Sequence, residues 1–230
     1  MNKYRLFVWM IILASLAGLI NSVAVFCYAG ATVSHITGLV SKFSISVSTG
    51  VWGECLYLAG IVSAFFVGAV AAGIATGERA FYLHKVYGFI IIFIGILVLV
   101  PVFFESEYCV MLLAFLMGLQ NGMVVSFKGI VVRLTHMTGN LTDFGVFVGY
   151  RIRGNRNERP LTGMIPLSTL LGFAAGGVIG ILLYNSIGVY VFAAASVVYI
   201  LLGLVYFRFR KTCNDKDFNG VPDEEEEKTA

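Results

Sequence analysis

Six stretches of this chain are apolar over about 20 residues each, the length a helix needs to cross the hydrocarbon core of a bilayer. They are Leu6–Tyr28, Val51–Ala75, Val86–Phe104, Tyr108–Phe127, Leu161–Tyr184 and Ile187–Phe207. A buried core in a soluble helical domain is the alternative, and it fails on the number and length of these runs. Charge points the same way. Only 13% of the residues are charged, against roughly 25% in a soluble domain, and they sit in short clusters between the apolar runs. The pattern predicts an all-α, polytopic membrane protein with the lipid bilayer as its first partner. One transmembrane domain is expected over 1–207. A disordered cytoplasmic tail is expected over 208–230, which ends in the acidic run Asp223–Glu227.

The net charge of +3 does not indicate nucleic-acid binding, because the cations lie in short loops where membrane topology accounts for them. Cys27, Cys55, Cys109 and Cys213 show neither C-x-x-C spacing nor a histidine at ligand spacing, so no metal, cofactor or disulfide is expected. Lys3 and Arg5 before an apolar run have the look of a signal peptide. The run continues to Tyr28, however, and part of it recurs at mid-chain, so it is read as an uncleaved first span.

That recurrence organises the rest. Gly18-Leu19-Ile20-Asn21 is followed by the polar segment Gly30–Gly50 with Ser34-His35-Ile36-Thr37-Gly38. Gly118-Leu119-Gln120-Asn121 is followed by Lys128–Val148 with Thr135-His136-Met137-Thr138-Gly139-Asn140. His136 stands 101 residues after His35, and Asn121 stands 100 after Asn21. Gly68 and Gly73 match Gly172 and Gly177 at an offset of 104. The order span, polar segment, span, span therefore occurs twice, over about 6–104 and about 108–207.

Orientation decides how the two copies relate. With Lys3 and Arg5 inside and three full spans per copy, the loops carrying Arg79 and Lys85, the four arginines 151, 153, 156 and 159, and Arg208, Arg210 and Lys211 are all cytoplasmic. The acidic turn Glu105–Glu107 is then outside. Four spans per copy reverses two of these placements against the positive-inside rule. The expected architecture is six transmembrane helices in two inverted three-span repeats, both termini cytoplasmic. Each repeat carries a short re-entrant or interfacial half-helix, started near Thr37 or Ser34 in the first. Two half-helices entering from opposite faces can meet near the midplane, where secondary transporters place their sites.

The candidate solute-binding residues are Asn21, His35, Thr37, Gly38, Gln120, Asn121, His136, Thr138, Gly139 and Asn140. An imidazole at membrane depth is able to carry a proton, and helix N-termini attract anions or carbonyl oxygens. For the histidines the alternative is structural hydrogen bonding. For the amides it is interhelical packing, and for Thr-Gly it is capping. Lys42 and Asp143 share the register of the histidines and form a candidate charge pair; the alternative has both reach opposite surfaces. The glycines 68, 73 and 77, and 172, 176, 177 and 180, form small-residue stripes that let helices approach closely, within one chain or between copies in a homo-oligomer.

The motifs Gly-Leu-x-Asn, Ser-His-x-Thr-Gly, Met117-Gly118-Leu119-Gln120-Asn121 and Thr138-Gly139-Asn140-Leu141-Thr142 together resemble the YoaK-type family of bacterial inner-membrane proteins, a domain-of-unknown-function group, over about residues 8–207. The resemblance implies an integral protein of the bacterial inner membrane and supplies no substrate. The chain departs from the family pattern at Asn21, where Asp is frequent, and at Leu39, where Asn is frequent. The expected function is a transporter or channel for a small polar or anionic solute with a midplane site between the repeats. The alternative is a non-transporting accessory or sensory protein whose His-x-Thr-Gly segments are structural. No Ser/His/Asp or HExxH-like arrangement is present, and no enzymatic activity is expected.

Overall fold

The computed structural model describes residues 3–28, 31–77, 85–104, 106–123, 126–127, 130–131, 134–155, 157 and 159–210. Glu78, Arg79, His84, Glu105, Lys128, Arg133, Arg156 and the tail 211–230 lie outside the described residues. The order of elements is α1 (Lys3–Cys27), α2 (Ile36–Ser48), α3 (Trp52–Thr76), α4 (Lys85–Leu97), α5 (Val100–Phe103) and α6 (Cys109–Gly122), then α7 (Met137–Ile152), α8 (Pro160–Ile187), a 3-10 turn (Gly188–Tyr190) and α9 (Val191–Arg210). A two-residue antiparallel pairing, Ser126–Phe127 with Ile130–Val131, lies between α6 and α7. The rest of the described chain is helix and connection.

Among the described residues, four helical stretches are long and apolar enough to cross a membrane: Val8–Cys27, Trp52–Thr76, Lys85–Phe103 and Pro160–Arg208. The last is 49 residues long and contains both α8 and α9. Two expected spans differ from their sequence outline. The third is broken into α4 and α5 ahead of Pro101, which sits in the first turn of α5; proline has no N–H to extend the upstream ladder and crowds the preceding turn. The fourth was expected over Tyr108–Phe127 but is helical for only 14 residues, ending at Gly122. Past residue 123, the next described residues, 126–127, belong to the short antiparallel pairing instead. At the C-terminus, α9 continues through Arg208 to Arg210, so helix replaces the start of the expected tail.

The packing is carried by bare backbone at glycine. A Cβ at Gly172 would lie 3.0 Å from the Ile11 carbonyl oxygen, one at Gly176 would run into the Ser15 carbonyl, and one at Gly180 would press on Leu19. Residue numbers rise together, so α1 and α8 run in the same direction. The Ser15 hydroxyl adds a bond to the Gly172 carbonyl at 2.9 Å. Helices α3 and α6 also run in the same direction, with Gly60 facing Met111, Gly68 facing the Phe115 carbonyl and Gly122 facing Ala69 and Ala72. Helices α4 and α9 run oppositely: Gly88 meets Tyr206 and Phe207, whereas Gly95 meets Tyr199 and Ile200. The short helices pack beside their successors, α2 on α3 and α7 on α8.

These contacts come in reciprocal sets. Gly18 abuts the Phe173 carbonyl and Gly118 abuts that of Phe65. Gly176 abuts Ser15 and Gly68 abuts Phe115; Gly95 faces Ile200 and Gly203 faces Ile92. The partner of Gly68 in this exchange is thus Gly176, not Gly172, and the register of α3 with α8 is 108 residues rather than 104. Gly73 has nothing within 4 Å, and Gly77 is the left-handed C-cap of α3 with φ 72°. Only Gly68 of that stripe packs.

The core runs along α1, α6 and α9, with Leu13, Ile20, Leu113, Met117, Phe192 and Tyr199 buried. At one end of it Trp9, Tyr87 and Tyr206 join α1, α4 and α9, with ring centroids 6.0 Å apart for Trp9–Tyr206 and 5.0 Å for Tyr87–Tyr206.

Candidate functional site

Asn21 is buried near the end of α1. Its Oδ1 accepts the Val33 N–H at 3.1 Å, the Ser34 N–H at 3.2 Å and the Ser34 hydroxyl at 3.0 Å. One side chain thereby ties the segment ahead of α2 to α1 and fixes where α2 begins. The Ser34 hydroxyl also lies 3.1 Å from Nδ1 of His35, and Thr32 donates its hydroxyl to the His35 carbonyl at 3.1 Å. His35, rather than Thr37 or Ser34, is the N-cap of α2, and no side chain caps that helix. Its half-buried ring meets Phe173 edge-on, with centroids 5.3 Å apart at 74°. Phe173 lies halfway along α8, so α2 begins at mid-depth of the long helices. From there its 13 residues, about 20 Å at the α-helical rise, return to the Thr49–Gly50 turn. Thr37, Gly38 and Lys42 are exposed on α2, and Leu39 is buried.

The second copy shares this backbone plan and differs in its side chains. Asn121 Oδ1 accepts the Thr135 N–H at 3.4 Å, as Asn21 does for Ser34. Thr135 is buried and its hydroxyl has no partner among the described residues. His136 is the N-cap of α7, again without a side-chain cap, but its ring is exposed. It lies over Gly139, where a Cβ would come within 2.5 Å of Nδ1; the matching Gly38 has nothing within 4 Å. Asn140 is buried and its N–H bonds the His136 carbonyl at 2.9 Å. Thr138 and Asp143 are exposed.

Gln120 belongs to a different environment. Its Nε2 donates to the Leu13 carbonyl at 3.1 Å, and its Oε1 accepts the Tyr199 hydroxyl at 2.5 Å. Both ends of the amide are therefore bonded inside the bundle, where they join α6 to α1 and α9. The structure gathers Asn21 with His35, and Asn121 with His136 through Thr135. Helices α2 and α7 share no packed interface among the described residues. Phe173 and Tyr199 are contact residues that sequence reasoning did not select, and Ser34, named there only as a possible helix start, bonds Asn21 and His35 instead. Phe173 had a signal, since Phe65 occupies the matching place in the other half. Among the described residues no group of three or more His, Cys, Asp or Glu side chains is placed to hold a metal.

Residues 9–205 match the family described as a protein of unknown function, DUF1275. No curated protein and no solved structure matches the chain. The chain belongs to this unknown-function family, in agreement with the resemblance carried by its motifs.

Proposed function

We propose that this member of the family is a transporter or channel for a small polar or anionic solute, held where the half-helices α2 and α7 begin. The observation that carries the reading is the start of α2. Its N-terminus lies against the middle of α8 with no side-chain cap. Amide N–H groups left open at membrane depth need a polar partner, and a half-helix N-terminus aimed at a solute is how secondary transporters supply one. The proposed frame is six spans in two inverted repeats, with both termini on the cytoplasmic side of a bacterial inner membrane. The opposed directions of α4 and α9 support it: exchanging antiparallel helices requires an axis lying in the membrane plane. Four spans per repeat would make that pair parallel. The arginines of the α7–α8 connection and the end of α9 then share the side of the N-terminus.

The test uses proteoliposomes holding protein without native cysteines, with Thr37→Cys or Thr138→Cys and a membrane-impermeant cationic thiosulfonate. Thr37→Cys is expected to react from outside and Thr138→Cys from the cytoplasmic side. The unlabelled protein is expected to pass at least one of a panel of small anions and neutral polar solutes. If both cysteines are inert from either side and no flux occurs, the second reading stands: an accessory or sensory membrane protein. The closed Asn21–Ser34–His35 network and the internally bonded Gln120 favour that alternative, because they satisfy polar groups without a solute.

A further inference from the structure

We infer that Asn21 and Ser34 hold His35 in the Nδ1–H tautomer, so that Nε2 faces the solute as a hydrogen-bond acceptor. The assignment follows from counting protons. The Asn21 atom that takes the Val33 and Ser34 N–H groups must be its oxygen, since two N–H donors cannot bond an NH2 group. That oxygen carries no hydrogen, so at 3.0 Å the Ser34 hydroxyl is the donor; without that proton two lone-pair oxygens would face each other. The hydroxyl has one proton, and it is now committed. The remaining contact, Ser34 Oγ to His35 Nδ1 at 3.1 Å, is a bond only if Nδ1 carries the hydrogen. In the neutral imidazole Nε2 is then the bare nitrogen, and no described residue donates to it. Phe173, the ring packed on His35, brings no charge and no proton.

The consequence concerns the class of solute and rests on the transporter reading. The first half-site accepts a hydrogen bond, so it selects a solute with an O–H or N–H group, such as a hydroxyl, amide or ammonium. A bare anion such as nitrate has nothing to donate there. The second half-site lacks the device. The Thr135 hydroxyl has no partner among the described residues, and the His136 ring lies over Gly139. Asn21 and Ser34 are thus positioning residues that act through His35.

The tautomer can be read without any transport, by solid-state 15N and 13C NMR of full-length histidine-labelled protein in lipid at neutral pH. His35 is assigned by subtracting the spectrum of His35→Gln. The expected result is a neutral ring protonated at Nδ1, converted towards the Nε2–H form by Ser34→Ala and retained by Ser34→Thr. A wild-type ring that is Nε2–H or doubly protonated overturns the inference, and so does a Ser34→Ala protein whose ring is unchanged. Acetamide, which has N–H donors, is expected to shift the Nε2 resonance while nitrate leaves it in place. A shift with nitrate alone, or with neither probe, overturns the proposed solute class. These readouts are separate from the flux assay, so failure here and failure of the transporter reading are distinguishable.

Discussion

Gln120 shows what one buried amide does in an apolar bundle. It joins three helices through two hydrogen bonds, to the Leu13 carbonyl and the Tyr199 hydroxyl. Interhelical bonds in membranes are worth about 0.6 kcal/mol on average and up to about 1.7, while an orphaned buried partner costs about 1–3 kcal/mol. Tyr199→Phe is expected to lower stability by about 1 kcal/mol and Gln120→Leu by about 1–3 kcal/mol. Because the two side chains share a bond, the double variant should lose less than the sum of the singles. Thermal unfolding in nanodiscs measures all three, and strictly additive losses would rule out the coupling. Polar residues within apolar runs were legible in the sequence, and so was the matched placing of His35 and His136. Their partners were not. Tyr199 lies 79 residues from Gln120, and Phe173 is farther still from His35; nothing local in the chain announces such a contact.

At the level of the helix, glycine sets how closely pairs approach. Gly18, Gly118, Gly68 and Gly176 each lie against a backbone carbonyl of the neighbouring helix, and backbone cannot rotate away as a side chain does. Gly68→Ala and Gly176→Ala are each expected to destabilise by about 1–3 kcal/mol, the range for overpacking, and by similar amounts. Gly73→Ala should be close to neutral, having nothing within 4 Å. Equal effects at Gly68 and Gly73 in the same unfolding assay would contradict this packing scheme. The sequence announced stripes of small residues but could not say which glycines touch. It also overextended α6, because apolar character persists past Gly122 where the backbone has already left the helix.

The whole molecule is related half to half by reciprocal contacts, and the register between the halves is informative. Asn21 and Asn121 are 100 residues apart, His35 and His136 are 101, and Gly68 and Gly176 are 108. The last increase falls between the start of α7 and the start of α8. There α7 has 16 residues against 13 in α2, and the connection to α8 is longer than the Thr49–Val51 link. The additional residues lie where Arg151, Arg153 and Arg159 cluster, so the insertion and the cationic loop are one feature. An offset of 104 was read from glycine spacing because two stripes of small residues align at more than one shift; only the three-dimensional partners distinguish them. The proposed topology predicts that Ser106→Cys is labelled by an impermeant reagent on intact spheroplasts and Asn157→Cys only after permeabilisation. Labelling of both from the same side would rule out three spans per half.

The hydrogen-bonded node has an apolar counterpart. Under the same exchange, Gln120, Leu13 and Tyr199 correspond to Ile20, Leu113 and Ile91, all buried. The aromatic trio Trp9, Tyr87 and Tyr206 corresponds to Cys109, Ala195 and Val98, also buried. The Gln120 set and the aromatic trio are therefore joined by directional bonds and interleaved rings, whereas the matching positions are filled by aliphatic and small side chains. A rocking motion of one half against the other would meet unequal barriers at these two sets of positions. If the proposed transporter reading holds, the Gln120 set is the stiffer of the two and the Ile20 set the one that yields first, a bias set by side chains at matching positions of the two halves.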